Sequence, residues 1–303
     1  MSARTDASGL RPAILSPWMR GLLPAWLKPA VRAAICRGVD AADWLRGDRD
    51  PLMPPARLRV RVGCFLSYLQ RDRYRAVGEE FAAHLRTMAG LRADGALLDI
   101  GCGCGQVAGA LAGFLGAQGR YEGFDPDAEA IAWCALTLTP RLPRFRFRSE
   151  DLGNTLYNPA GRVRAEEFRF PYEDASFDVI LLKSIFTHMA PRPMHHYLAE
   201  IRRLLRPGGR CMVTGYFPDA AARARIAAGE AAYAFEVAGD GFRIVDARTP
   251  DYVTAHDEEA LRAAALAAGL AVVEPIHPGA WSGAARFTSY QDIVLLARQA
   301  DAA

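Results

Sequence analysis

Only two of the 37 basic side chains in this 303-residue sequence are lysines, Lys28 and Lys183. Neither follows a glycine-rich stretch, which excludes the Walker-type phosphate cradle, whose last glycine must be followed by Lys and Ser/Thr. Long apolar runs are missing too: none approaches the roughly 18 residues of a membrane span. The opening MSARTDASGLRPAILSPWMR has no uninterrupted apolar core and no small-residue cleavage site. No signal peptide is therefore expected, and the expected location is cytoplasmic. Cysteine is sparse and scattered, at 36, 64, 102, 104, 134 and 211. Without export these read as reduced thiols, several of them in the core. Cys102 and Cys104 would supply half a tetrahedral zinc site, and no C-x-x-C or H-x-x-x-H supplies the rest, so no metal is expected. Internal repeats and low-complexity tracts are absent.

What is present is a globular composition, 51% hydrophobic and 23% charged. Net charge is +3, but residues 1–75 carry 14 basic against 6 acidic side chains, +8, and the remainder 23 against 28, −5. A basic front end can meet an anionic surface, although a general preference for arginine gives the same picture. Pro12 and Pro17 break any helix before residue 22. Residues 24–46 then place Leu27, Val31, Ile35, Ala42 and Leu45 near one helical face. Such a helix suits peripheral contact with a membrane or packing on the protein's own body. DRDPLMPPARL (48–58) reads as a linker, so residues 1–60 form an N-terminal extension and 61–303 the main domain. A helix over 73–89, stopped by Gly90, opens that domain.

From residue 96 strands and helices alternate. ALLDIG, RYEGFD, RFRFR, FDVILLKS, RCMVTGYF, LAVVEPI and SYQDIVLLAR read as strands. Segments 105–116, PDAEAIAWCALTL, PMHHYLAEIRRLL (closed by RPGG) and DEEALRAAALAAG read as helices. This predicts an α/β fold: a doubly wound, seven-stranded, mostly parallel sheet with an antiparallel last strand. Ligands bind beyond the carboxyl ends of such strands. Two segments, 152–170 and 218–256, are too long for ordinary connections and read as inserted lids.

The loop in ALLDIGCGCGQVAGAL (96–111) sets Gly101, Gly103 and Gly105 at alternate positions, two residues after Asp99. The dinucleotide fingerprint is G-x-G-x-x-G, so the spacing differs. D-x-G-x-G-x-G after a first strand, an acid ending the second, SFDVILLKSIFTHM and LRPGG together resemble class I (Rossmann-like) S-adenosylmethionine-dependent methyltransferases over roughly residues 75–298. YNPAG, EEFRFPYEDASFDV and EPIHPGAWSG look similar to the bacterial subgroup associated with glycosyl-transfer pathways. The cofactor implied is S-adenosyl-L-methionine, a sulfonium without phosphate, which suits a loop with carboxylates and no lysine. The resemblance implies that Asp99, Gly101, Cys102, Gly103 and Gly105 line its methionine end. Asp125 would take the ribose, and Asp151 (or Glu150) with Leu152 the adenine, while Lys183 ends the fourth strand at the same edge. Asp125 also suits a helix N-cap, and Asp151 a turn.

A hydroxyl acceptor needs a base, for which His188 is the candidate, with His277 at the same predicted edge. Either can instead be a packing histidine, and His195 and His196 suit a solvated helix face. Tyr157, Tyr216 and Trp281 are candidate substrate contacts, with Tyr252 and His256 behind them. Methyltransferases of exocyclic base nitrogens or glutamine amides commonly carry [DNS]-P-P-[YFW] after the fourth strand; KSIF stands there, and no RNA-binding signature occurs, so no nucleic-acid partner is expected. The expected reaction is methyl transfer to a hydroxyl of a saccharide, glycolipid or other small polar molecule. A lipid or quinone-like acceptor, a non-catalytic cofactor-binding partner of a biosynthetic complex, and an NAD-dependent oxidoreductase are the alternatives. Nothing in the sequence sets the oligomeric state.

Overall fold

The computed structural model describes residues 24, 26–63, 65–154, 157–235 and 237–299. The stretch 1–22 and Cys64 lie outside them. Helices α1 (Lys28–Leu45), α2 (Ala56–Arg59), α3 (Phe65–Leu69) and α4 (Arg71–Thr87) precede the sheet. Then come β1 (Ala96–Ile100), α5 (Gln106–Leu111), β2 (Arg120–Asp125), α6 (Ala128–Trp133), β3 (Phe145–Ser149) and β4 (Phe177–Leu182). They are followed by α7 (Pro191–Leu204), β5 (Leu205–Gly215), α8 (Ala220–Ala227) and three short strands, β6 (Val237–Ala238), β7 (Phe242–Ile244) and β8 (Thr254–His256). Helix α9 (Glu258–Ala267), β9 (Leu270–His277) and β10 (Asp292–Arg298) complete the order.

The seven-stranded sheet runs β3-β2-β1-β4-β5-β10-β9. Strands β1 to β5 pair in parallel, and β10 is antiparallel to both its neighbours. Every residue of β1 is buried, as expected of a strand covered on both faces. One face packs Leu98, Ile100 and Ile180 against Leu198 and Ile201 of α7 and Leu261 of α9. The other packs Leu97 and Leu181 against Phe81 and Leu85 of α4 and Val107 and Leu111 of α5. Strand order reverses between β1 and β4, which opens the crevice where such sheets bind ligands.

The insertion at 218–256 contains α8 and a separate antiparallel sheet, β6-β7-β8. The insertion at 152–170 is held by isolated bridges, Leu152 to Val163 and Asn154 to Asn158. Several boundaries differ from the sequence reading. The helix expected over 105–116 stops at Leu111. The one expected over 126–138 starts at Ala128 and passes into a π-helical turn, Cys134–Leu138. LRPGG opens β5 instead of closing the preceding helix.

The N-terminal extension departs most. Residues 48–58 are no free linker, because Ala56 and Leu58 are fully buried. Helix α1 turns Cys36 inward, while Ile35 and Leu45, on the apolar face read from the sequence, are 42% and 77% exposed, so that face does not pack on the described body. The cause is Arg59. Its buried guanidinium donates to the carbonyls of Pro54 (2.7 Å), Tyr68 (3.2 Å) and Leu69 (3.1 Å) and lies 3.8 Å from Asp40 and 3.6 Å from Asp43 of α1. A charge this deep demands its counter-charges, so the helix presents its acids inward. Arg59→Met is expected to cost about 3–5 kcal/mol in urea denaturation, since it leaves three carbonyls without this donor and removes the counter-charge of Asp40 and Asp43. An unchanged midpoint would show that the anchor contributes nothing.

Candidate active site

The site is built where β1 and β2 end side by side. Gly101 and Cys102 donate their amides to the carbonyl of Phe124 (2.9 and 3.2 Å), Gly103 to Asp125 Oδ2 (2.8 Å) and Gly105 to the carbonyl of Cys102 (3.0 Å). These four amides are turned to the protein's own acceptors and so are not the convergent donors of a phosphate nest. Gly101 and Gly103 have φ of 73° and 52°, which L side chains rarely adopt. A Cβ on Gly101 would come within 2.1 Å of Ile185 Cδ1, and one on Gly103 within 2.4 Å of Val62 Cγ1. Ile185, just after β4, and Val62, between α2 and α3, therefore roof the loop.

Asp125 accepts from Gly103 N on one oxygen and from Asp127 N, at 2.8 Å, on the other. It is not the helix cap: Asp127 caps α6 by accepting from Ala130 N at 3.2 Å. Burial pushes the Asp125 carboxyl up to about 6, against the pull of its two backbone donors. Each of its oxygens keeps a lone pair for a ligand hydroxyl. Asp127 also receives Arg61 Nε at 2.9 Å, and Arg61 reaches Glu129 at 2.6 Å, which ties the segment after α2 to the start of α6.

Asp99 accepts a 2.5 Å hydrogen bond from the Tyr121 hydroxyl. Burial pushes it up to about 7, while Tyr121 and the Lys183 ammonium oppose the rise. Lys183 lies 5.5 Å from the ring centroid of Phe81. The loop cysteines are structural: Tyr74 Oη lies 3.3 Å from Cys104 Sγ, and burial pushes the Cys104 thiol up to about 12. Cys102 is likewise buried and protonated. Asp151 is taken by Arg162, whose Nε donates at 2.6 Å, and that pair holds its carboxyl below the usual range. Leu152 is buried against the main core.

His188 and Tyr157 come together at this edge, ring centroids 6.4 Å apart and roughly perpendicular. Burial raises the Tyr157 hydroxyl, with the Asp125 and Asp127 carboxylates adding to it. His188 Nδ1 lies 2.9 Å from the carbonyl of Asp251, in the second insertion. A carbonyl can only accept, so Nδ1 carries the proton and Nε2 keeps its lone pair. Burial holds the imidazole below its ordinary 6.5. His256 Nε2 donates to the carbonyl of Phe186 at 3.2 Å, which ties the same insertion to the turn bearing His188.

The other candidates sit apart. His277 ends β9, and β5 and β10 separate it from β4, a span of about 14 Å. Trp281 is 1% exposed, its ring 5.0 Å from Tyr216 and 6.3 Å from Phe235, so it and Tyr216 form the aromatic floor of the second insertion. Tyr252 is 47% exposed, and His196 donates to the carbonyl of Phe168 at 2.9 Å. Sequence reasoning missed Val62, Arg61, Ile185 and Asp251. Only RLRVRVG carried a signal for the first pair, an apolar residue beside arginines ahead of an acidic helix start; a backbone carbonyl carries none.

Residues 98–213 match a family model described as a methyltransferase domain. An uncharacterised protein of Haemophilus influenzae is 27% identical over 145 residues, 48% of this chain and 52% of that one. Methyltransferase GfsG of Streptomyces halstedii is 30% identical over 136 residues, 45% of this chain and 43% of its own. The chain thus spans about half, or less, of the length of the curated relatives it matches. The crystal structure of PH0226 protein from Pyrococcus horikoshii OT3 shares the fold, with a TM-score of 0.50 and 16% identity over 75% of this chain and 92% of that one.

Asp99 yields a pH-dependent prediction. Its folded pKa of about 7 lies above the ordinary 3.8, so its stability contribution is complete below that ordinary value and is lost as pH rises through the folded one. Asp99→Asn is spared that loss. Denaturation across pH 4–8 should show the variant gaining on the wild type by a few kcal/mol, of the order that such a shift implies. A difference independent of pH would contradict the burial argument.

Proposed function

Since residues 98–213 carry a methyltransferase domain on a class I, Rossmann-like sheet, we propose that the protein methylates a hydroxyl of a saccharide, glycolipid or other small polar molecule, with S-adenosylmethionine as donor. The observation that carries the acceptor chemistry is His188, half-buried at the ligand edge with its Nδ1 proton fixed on the Asp251 carbonyl. That tautomer presents Nε2 as a proton acceptor.

The residues fit the donor. A loop with engaged amides and no lysine suits a ligand without phosphate, and Gly101–Gly105 with Asp125 would hold its methionine and ribose portions. The Lys183 stem and Ile185 would close the methyl side, and Leu152 would lie toward the adenine. Asp99 supports the loop from beneath through Tyr121. When bound, S-adenosylmethionine supplies an electrophilic methyl on a sulfonium. The chain's own part is to hold the acceptor beside Tyr157, take its hydroxyl proton at His188 Nε2, and exclude water under the two insertions.

Titration calorimetry should show S-adenosylhomocysteine binding and no response to NAD; the reverse would return the fold to oxidoreductases. His188→Ala should lower kcat by about 10²–10⁴-fold while leaving S-adenosylhomocysteine affinity within about twofold. Full turnover in that variant would remove His188 from the chemistry. Because burial depresses the His188 pKa, the base form persists below the ordinary 6.5. The kcat profile should stay flat from pH 8 to about 6.5 and fall only in more acid solution. A product methylated on nitrogen would overturn the hydroxyl reading.

A further inference from the structure

Helix α1 has two unlike faces. The inner one holds Cys36 and the carboxylates of Asp40 and Asp43 against Arg59. The outer one is apolar and exposed: Trp26 just ahead of the helix is 78% exposed, Ile35 42%, Trp44 59% and Leu45 77%. Ala34 and Ala41 lie exposed among them. Half of the large apolar side chains exposed among the described residues therefore sit on or beside this one helix.

Charge is sorted in the same way. Over residues 24–49 all five cations, Lys28, Arg32, Arg37, Arg46 and Arg49, are exposed; Arg32 also donates to the Val60 carbonyl at 3.2 Å and Arg46 to Asp43 at 3.3 Å. The three acids, Asp40, Asp43 and Asp48, are partly buried and turned to the body. Asp40 accepts from Ala56 N at 2.8 Å, and Asp48 pairs with Arg71 at 2.8 Å. Arg49 lies 5.0 Å over the Trp44 ring, a guanidinium beside an indole at the edge of the apolar face. No described helix is long and apolar enough to cross a membrane.

From this we infer that the outer face of α1 docks on an anionic bilayer, with the indoles and Leu45 in the interface and the arginines on lipid phosphates. An exposed apolar face rimmed by cations and cleared of acids has the complementarity such a surface requires. A face closing on a second copy would bring like-charged rims together. The helix is also joined to the proposed donor site, because Arg59 pins it to α2, and two and three residues further Arg61 and Val62 reach Asp127 and Gly103.

The test is co-sedimentation of the full chain with phosphatidylcholine vesicles containing or lacking phosphatidylglycerol, with sedimentation velocity run without lipid. Binding to the anionic vesicles is expected, weakening with salt, and falling by about tenfold or more in Trp44→Glu/Leu45→Glu. Arg37→Glu, which leaves the apolar face intact, should lower binding to anionic vesicles specifically. Any of three results would overturn the inference. These are no binding to anionic vesicles, binding that both variants retain, or a lipid-free dimer that the double substitution dissolves.

Discussion

A single buried carboxylate holds the ligand edge together. Asp125 receives one amide from the glycine loop and one from its own turn, so the ends of β1 and β2 move as one body. The rest is hung from that joint. Asp127, placed by it, caps α6 and takes Arg61. Arg61 in turn fixes the segment whose Val62 covers Gly103. The cost is a carboxyl raised toward neutrality by burial, a strain that backbone donors relieve only in part.

The opposite wall depends on backbone borrowed from the second insertion. His256 binds the turn after β4, and the Asp251 carbonyl binds His188 in that turn. The aromatic floor of Tyr216, Tyr233 and Trp281 lies beneath, and Ser184 and Thr214 share Gln291 Oε1 at 2.9 and 2.6 Å. The ends of β4, β5 and β10 are thereby locked to one another. A rigid platform under a carbonyl-set histidine is what the proton transfer proposed for His188 calls for.

The sheet was legible because strong local signals agreed with tertiary demands. RYEGFD is β2 to the residue, and the seven strands fall where apolar runs between turn residues put them. Helix boundaries slipped where a cap decided them: Asp125 and Asp127 are both acids before an alanine-rich run, and only the engagement of Asp125 by Gly103 leaves capping to Asp127. Which way the apolar face of α1 turns is not legible in the sequence, because apolar spacing carries no knowledge of a buried arginine one helix away. Within the candidate site, the glycine loop after β1 and Asp125 at the end of β2 stand where the sequence puts them. The pairing of Asp151 with Arg162 and the dependence of His188 on a distant carbonyl are contacts made by folding, invisible to spacing.

Strand β10 sits between β5 and β9, with its first five residues buried and its side chains in both core layers. The sheet therefore cannot close in the order in which the chain is made. Strands β1 to β5 can associate as they emerge from the ribosome, but β9 has no partner and the floor beneath the second insertion has no Gln291 until residues 289–298 arrive. During synthesis the apolar edge of β5 stays unpaired until β10 is available, and a chain interrupted before it is left with an open strand edge, a template for aggregation.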